Sequence, residues 1–128
     1  GPALVEHFQP TLKILASWRE HPNAWVRRVI GVGAHVWAKR SRGAPELERK
    51  AGRLLKFLEP MLEEQEMDAV KGIGWGLKTL GKFYPETTTA WLEKQVAQRP
   101  NYRALILRKA LTYLPAKGRA RIARAASR

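Results

Sequence analysis

Cysteine does not occur anywhere in these 128 residues, so disulfides and thiolate metal sites are both excluded. An intracellular, cytoplasmic origin fits that lack, with association to the nucleoid expected in a bacterial cell. Acid is almost as scarce. Asp68 is the only aspartate, Asp+Glu number 11 against Lys+Arg 24, and the formal net charge is +13. No acidic side chain follows Glu93, while basic ones continue from Arg99 to Arg128. Such an imbalance implies an anionic partner, with nucleic acid ahead of a lipid surface. No apolar run approaches a membrane span, so no membrane partner is expected. Strand-like alternation never survives more than a few residues. Catalytic constellations are missing too. His7, His21 and His35 fall on different elements without metal-ligand spacing, and Ser17, Ser41 and Ser127 have no motif around them. Asp68 sits where a helix begins, and dipole or capping interactions account for it there. The expectation is therefore no catalytic residue, no metal and no cofactor.

What remains is helical signal. Pro10 opens a helix through about Glu20, carrying Leu12, Leu15 and Trp18 on one face. Asn23 suits the N-cap of a second, running to about Arg40. Pro45 opens a third with Leu47, Ala51, Leu54, Leu55 and Leu58, which Pro60 bends or breaks. A fourth spans about Met67 to Tyr84, a fifth Pro85 to Ala97 and a sixth Asn101 to Leu114. Ala116–Arg128 reads as a short basic helix or frayed tail. Glu63, Glu64, Glu66 and Asp68 form an acidic knot expected to be solvated. Gly1-Pro2 has the form of a remnant of tag removal.

The central helix carries two stripes. Val70, Ile73, Leu77, Leu80 and Tyr84 recur with the helical period and predict a buried face. Lys71, Trp75, Lys78 and Lys82 recur on the other side, placing an indole among lysines. Packing of Trp75 on a neighbouring helix is the plain account; an anionic ligand coming to it is the functional one.

An internal repeat organises the chain. Arg28-Val-Ile-Gly-Val-Gly33 matches Lys71-Gly-Ile-Gly-Trp-Gly76 at an offset of 43 residues, and Leu12–Leu15 matches Leu55–Leu58 at the same offset. A weaker third copy follows at 38, aligning Lys56 with Lys94 and Lys71 with Lys109. Two helices per unit of this length is the spacing of HEAT-like repeats. The expected fold is all-α: one domain over residues 1–128, a short curved solenoid of about six to seven helices. Its repeats would cover roughly 10–40, 45–84 and 85–114, with a basic segment at 115–128. Equivalent positions then form a grid: Arg28, His35 and Lys39; Lys71, Trp75, Lys78 and Lys82; Lys109 and Tyr113. If second helices line the concave wall, the grid faces one groove and sets cations beside successive phosphates. His35 is expected there against phosphate or solvent. The helical glycines Gly31, Gly33, Gly72, Gly74, Gly76 and Gly81 each cost roughly 1 kcal/mol relative to alanine. Either close helix packing or close approach of a phosphate backbone accounts for them.

Two motifs now carry a resemblance. Asn23-Ala-Trp25-Val-Arg-Arg28-Val-Ile and Lys71-Gly-Ile-Gly-Trp75-Gly-Leu resemble the C-terminal half of the AlkD-like DNA alkylation repair glycosylases. That resemblance implies HEAT-like repeats and excision of N3- and N7-alkylated purines. It implies that Arg28 contacts the DNA backbone near the lesion and that Trp75 packs against it. An alkylated purine is already a cationic leaving group, so gripping the duplex and stabilising the sugar cation suffice without a deep base-flipping pocket. Gly72 replaces the family's usual alanine. The family's catalytic Trp-Trp-Asp-x-x-Asp has no counterpart here, and Asp68 lies in a different repeat. The chain is thus expected to bind double-stranded DNA, alkylated or abasic, as a monomer, inactive by itself. It is either a piece of a longer enzyme or a non-catalytic relative. The rival is a scaffold for RNA or for an acidic protein partner, since charge alone does not separate these.

Overall fold

A computed structural model of the chain describes residues 2–127; Gly1 of the tag-like pair and Arg128 of the basic tail lie outside the described residues. The helices are α1 Pro2–Glu6, α2 Phe8–Ala16, α3 Ala24–Ser41, α4 Glu48–Leu58, α5 Met67–Phe83, α6 Pro85–Gln98, α7 Ala104–Ala110 and α8 Ala116–Ala126. Short 3₁₀ turns at Pro45–Leu47 and Glu59–Glu63 bracket α4, and no strand occurs among the described residues. The fold is all-α and HEAT-like. Helices α3, α5 and α7 are successive neighbours in one layer, and α4, α6 and α8 in the other. No described helix is long and apolar enough to cross a membrane.

Local chemistry sets most boundaries. The Asn23 carboxamide oxygen accepts from the Trp25 amide at 2.8 Å and starts α3. At its far end Arg42 and Gly43 take φ of 52° and 71°, and this left-handed pair turns the chain toward α4. The Tyr84 hydroxyl, donating to the Ala44 carbonyl at 2.9 Å, ties that turn to the end of α5. The predicted stripe is core: Val70, Ile73, Leu77 and Leu80 are fully buried and Tyr84 nearly so. The tail is a helix, because Ile122 and Ala125 are buried and Gly118 seats against Thr89 of α6.

Several expectations need correction. Among the described residues eight helices replace six to seven, because α1 precedes the predicted first helix. That helix, α2, starts at Phe8 and ends at Ala16, where the Ser17 hydroxyl donates to the Ile14 carbonyl at 2.8 Å. Trp18 therefore lies on the turn beyond it, 37% exposed rather than core. Helix α7 is shorter than expected at both ends. Arg103 is extended and donates its amide to the Leu62 carbonyl at 2.7 Å, and Leu111 to Leu114 wind as turns before Pro115.

The glycines are spent on helix contact. A β-carbon on Gly31 would fall on the backbone of Gly72 and Ile73, and one on Gly76 would come 2.5 Å from the Gly31 carbonyl oxygen. Helices α3 and α5 thus cross backbone against backbone. On the other flank Gly74 receives the aliphatic stem of Lys109, and Gly81 receives Leu114. At these positions the room is occupied by protein, so approach of a phosphate backbone does not account for them.

The acidic knot is not simply solvated. The Glu64 side chain is 9% exposed, and its two oxygens accept from Arg27 Nε at 2.7 Å and Nη2 at 3.0 Å. It also accepts from the amides of Gln65 and Glu66, ahead of α5. Arg27, in the first turn of α3, also donates to the His21 carbonyl at 2.6 Å, so its guanidinium joins the loop before α3 to the loop before α5. Glu63 takes Arg99 Nη1 at 2.8 Å. Burial pushes the Glu64 carboxyl up, but the Arg27 hydrogen bonds and the two amides outweigh it and hold it below its ordinary value. Glu64→Ala leaves the Arg27 guanidinium with no carboxylate and should cost about 3 kcal/mol in urea unfolding. Its contribution is full above the ordinary carboxylate range and is lost as pH falls through the lowered folded value. The gap between wild type and Glu64→Ala should therefore narrow in acid.

Candidate nucleic-acid interface

The face built by α3, α5 and α7 holds two hollows. Arg28, Lys71, Gly74, Trp75, Lys78, Lys109 and Thr112 line one of about 310 Å³. His35, Lys39, Trp75, Lys78, Thr79, Lys82, Phe83 and Tyr113 line another of about 250 Å³. Trp75 and Lys78 belong to both, so the indole is the ridge between them. All nine grid residues thus lie on these walls. Helix α3 supplies Arg28, His35 and Lys39; α5 supplies Lys71, Trp75, Lys78 and Lys82; α7 supplies Lys109. Tyr113 comes from the turn beyond α7, not from a helix.

Trp75 is 43% exposed, and the plain and functional accounts of it both hold some ground. One face packs on α3, where its ring lies 3.8 Å from that of His35 at 22°. The remainder stands open. His35 is accordingly engaged rather than left to phosphate or solvent alone: its Nδ1 is 2.7 Å from the Thr79 hydroxyl. Burial first, then Lys39, pushes its imidazole below the usual histidine value. Arg28 lies 5.1 Å over the Trp25 ring, and both Lys78 and Lys82 lie over Tyr113, at 5.3 and 5.4 Å. These aromatic faces hold cations in place without neutralising them.

Electrostatics separates this face from the others. Arg27, Arg99 and Arg121, which tie loops and helices together, are all paired with glutamates. None of the grid cations forms an ion pair among the described residues, and neither hollow has a carboxylate on its wall. Six cations, Arg28, Lys39, Lys71, Lys78, Lys82 and Lys109, line the two hollows with no carboxylate among them. Their mutual repulsion is relieved by an anion. A larger hollow, about 630 Å³, behaves differently: Arg19 and Arg27 share its walls with Glu20, Glu63, Glu64 and Glu66.

Sequence reasoning missed Thr79, Phe83, Thr112 and the indole of Trp25. Thr79 was findable as a hydroxyl four residues beyond Trp75 on the same helix, but its bond to α3 was not. The described residues contain no group of three or more His, Asp or Glu arranged to hold a metal ion. Comparison with curated proteins and with solved structures found no match. The family profile described as DNA alkylation repair enzyme matches residues 1–114, so the chain belongs to the DNA alkylation repair enzyme family.

Proposed function

We propose that residues 1–128 act as one HEAT-like unit that grips duplex DNA through the α3–α5–α7 face. Arg28, Lys39, Lys71, Lys78, Lys82 and Lys109 contact successive phosphates, and Trp75 packs on the backbone beside a damaged nucleotide. The observation that carries this reading is the half-exposed indole standing between two hollows whose only charged walls are cationic. Neighbouring helices of a layer lie roughly 10 Å apart, a distance that sets cations from adjacent repeats within reach of one strand.

Excision is a separate matter. Loss of an alkylated purine leaves positive charge on the sugar, and a nearby carboxylate would stabilise it. These hollows offer only cations, so the chain by itself should bind damaged duplex without releasing the base at a useful rate.

The test compares affinities for an intact duplex and for one carrying a tetrahydrofuran abasic analogue, with an acidic peptide as competitor. Trp75→Ala should remove the preference for the abasic duplex, at a cost of about 1–3 kcal/mol, as expected for a lost stacking platform. Lys82→Ala should weaken both duplexes alike and lower the salt slope by about one. Equal behaviour of the two variants would remove the special role of Trp75. Displacement of duplex by the peptide at physiological salt would favour a protein-binding scaffold instead.

A further inference from the structure

Among the residues of this face His35 stands apart, because it touches Trp75 twice. Its imidazole lies against the indole, centroids 3.8 Å apart and planes 22° from parallel. Its Nδ1 is 2.7 Å from the Thr79 hydroxyl, and that hydroxyl donates to the Trp75 carbonyl at 3.0 Å. Thr79 has one hydroxyl hydrogen, already given to the carbonyl four residues back. In that arrangement the His35 bond runs from Nδ1–H to the hydroxyl oxygen, and in the other ring tautomer from the hydroxyl to Nδ1. Either direction ties the ring to Thr79 and fixes its tilt. The four groups close a loop that begins at the Trp75 ring and returns to the Trp75 backbone. Thr79 is buried, so loss of the imidazole leaves its hydroxyl without that partner.

We propose that His35 is a positioning residue: through this loop it holds the Trp75 indole upright between the hollows, in the orientation that meets nucleic acid. The inference rests on the reading of Trp75 given above and extends it to a residue that acts on the duplex through the indole. Neither a free lysine nor the α5 backbone can do this, since the indole would otherwise turn about its side-chain bonds toward either hollow. The charged and titratable groups facing the imidazole are Lys39 on its own helix, Lys78 and Lys82 on α5, and Tyr113 after α7. No carboxylate joins them, and burial together with Lys39 favours the neutral ring, which keeps its bond to Thr79. Its folded pKa lies below the unfolded value, so this site subtracts stability as pH drops below the ordinary histidine range.

The first measurement uses the free chain. Imidazolium in contact with indole quenches its emission, so tryptophan fluorescence should fall in a step with a midpoint below 6.5. The step should vanish in both Trp75→Phe and His35→Phe; its absence from the wild type, or its survival in His35→Phe, overturns the contact. The second uses the intact and abasic duplexes. His35→Ala should lower the preference for the abasic one about five- to tenfold, and His35→Phe, which keeps a stacked ring but loses the Thr79 bond, should restore it only in part. An unchanged preference in His35→Ala, beside its loss in Trp75→Ala, overturns the positioning role and leaves the DNA reading intact. If Trp75→Ala has no effect either, the reading and the inference fall together.

Discussion

Gly31→Ala should lower the stability of the chain by about 3 kcal/mol or more, while Gly52→Ala should raise it by about 0.5–1 kcal/mol. Both glycines lie inside helices, and helix propensity alone favours alanine at each by about 1 kcal/mol. What differs is the space. At Gly52 an added β-carbon finds only the Thr87 methyl, 4.0 Å away. At Gly31 it lands on the carbonyl group of Gly72 and the amide of Ile73. Those are backbone atoms inside α5, so no rotamer change makes room, and the two helices must separate. Separation opens gaps around Ile30, Ala34, Ile73 and Leu77, all fully or almost fully buried. The overpacking term therefore exceeds the propensity gain. Urea unfolding of the two variants beside wild type measures both signs in one experiment. A stabilised Gly31→Ala would mean that α3 and α5 are not in backbone contact.

Affinity for duplex should fall about a thousandfold between 50 and 200 mM salt, corresponding to a slope of log affinity on log salt of roughly −5. Six unpaired cations line the hollows, and each phosphate neutralised releases close to one condensed counterion. Three other arginines are less able to contribute. Arg27, Arg99 and Arg121 are held by glutamates, and contacts made at the cost of those pairs gain little. The slope should drop toward −3 when Lys71 and Lys109 are both replaced by alanine, because they line the same hollow. The corresponding double replacement of Lys117 and Arg119, on the exposed side of α8, should leave it nearly unchanged. A filter-binding titration with a slope near zero rejects phosphate gripping altogether. A full slope that survives loss of Lys71 and Lys109 moves the binding face elsewhere.

These two results draw on different kinds of information. The buried stripe from Val70 to Tyr84 was legible because helical periodicity is local, and the repeat offset of 43 residues aligned Arg28 with Lys71 before any contact was known. The glycines were legible as a puzzle but not as an answer, since which flank each one serves depends on the neighbour that fills it. Trp18 was misjudged because its place on a helical wheel assumed that α2 continues, whereas the backbone turns to i−3 bonds, Ser17 to Ile14 and Trp18 to Leu15, and the helix ends. Glu64 was misjudged for a similar reason. Four acids close together in sequence resemble a solvated turn until an arginine from the first turn of α3 reaches across to one of them.

Charge sign, helical period, proline and asparagine punctuation, and repeat spacing were enough to specify an all-α chain of stacked helix pairs with cations in register. Each of those is a property of residues within a turn or two of one another, or of a fixed offset along the chain. The depth of the α3–α5 crossing, the pairing of Arg27 with Glu64, and the His35–Thr79 hold on Trp75 were decided only in three dimensions. They depend on the rotation of one helix about its axis relative to the next, and small changes in that rotation exchange which side chains meet.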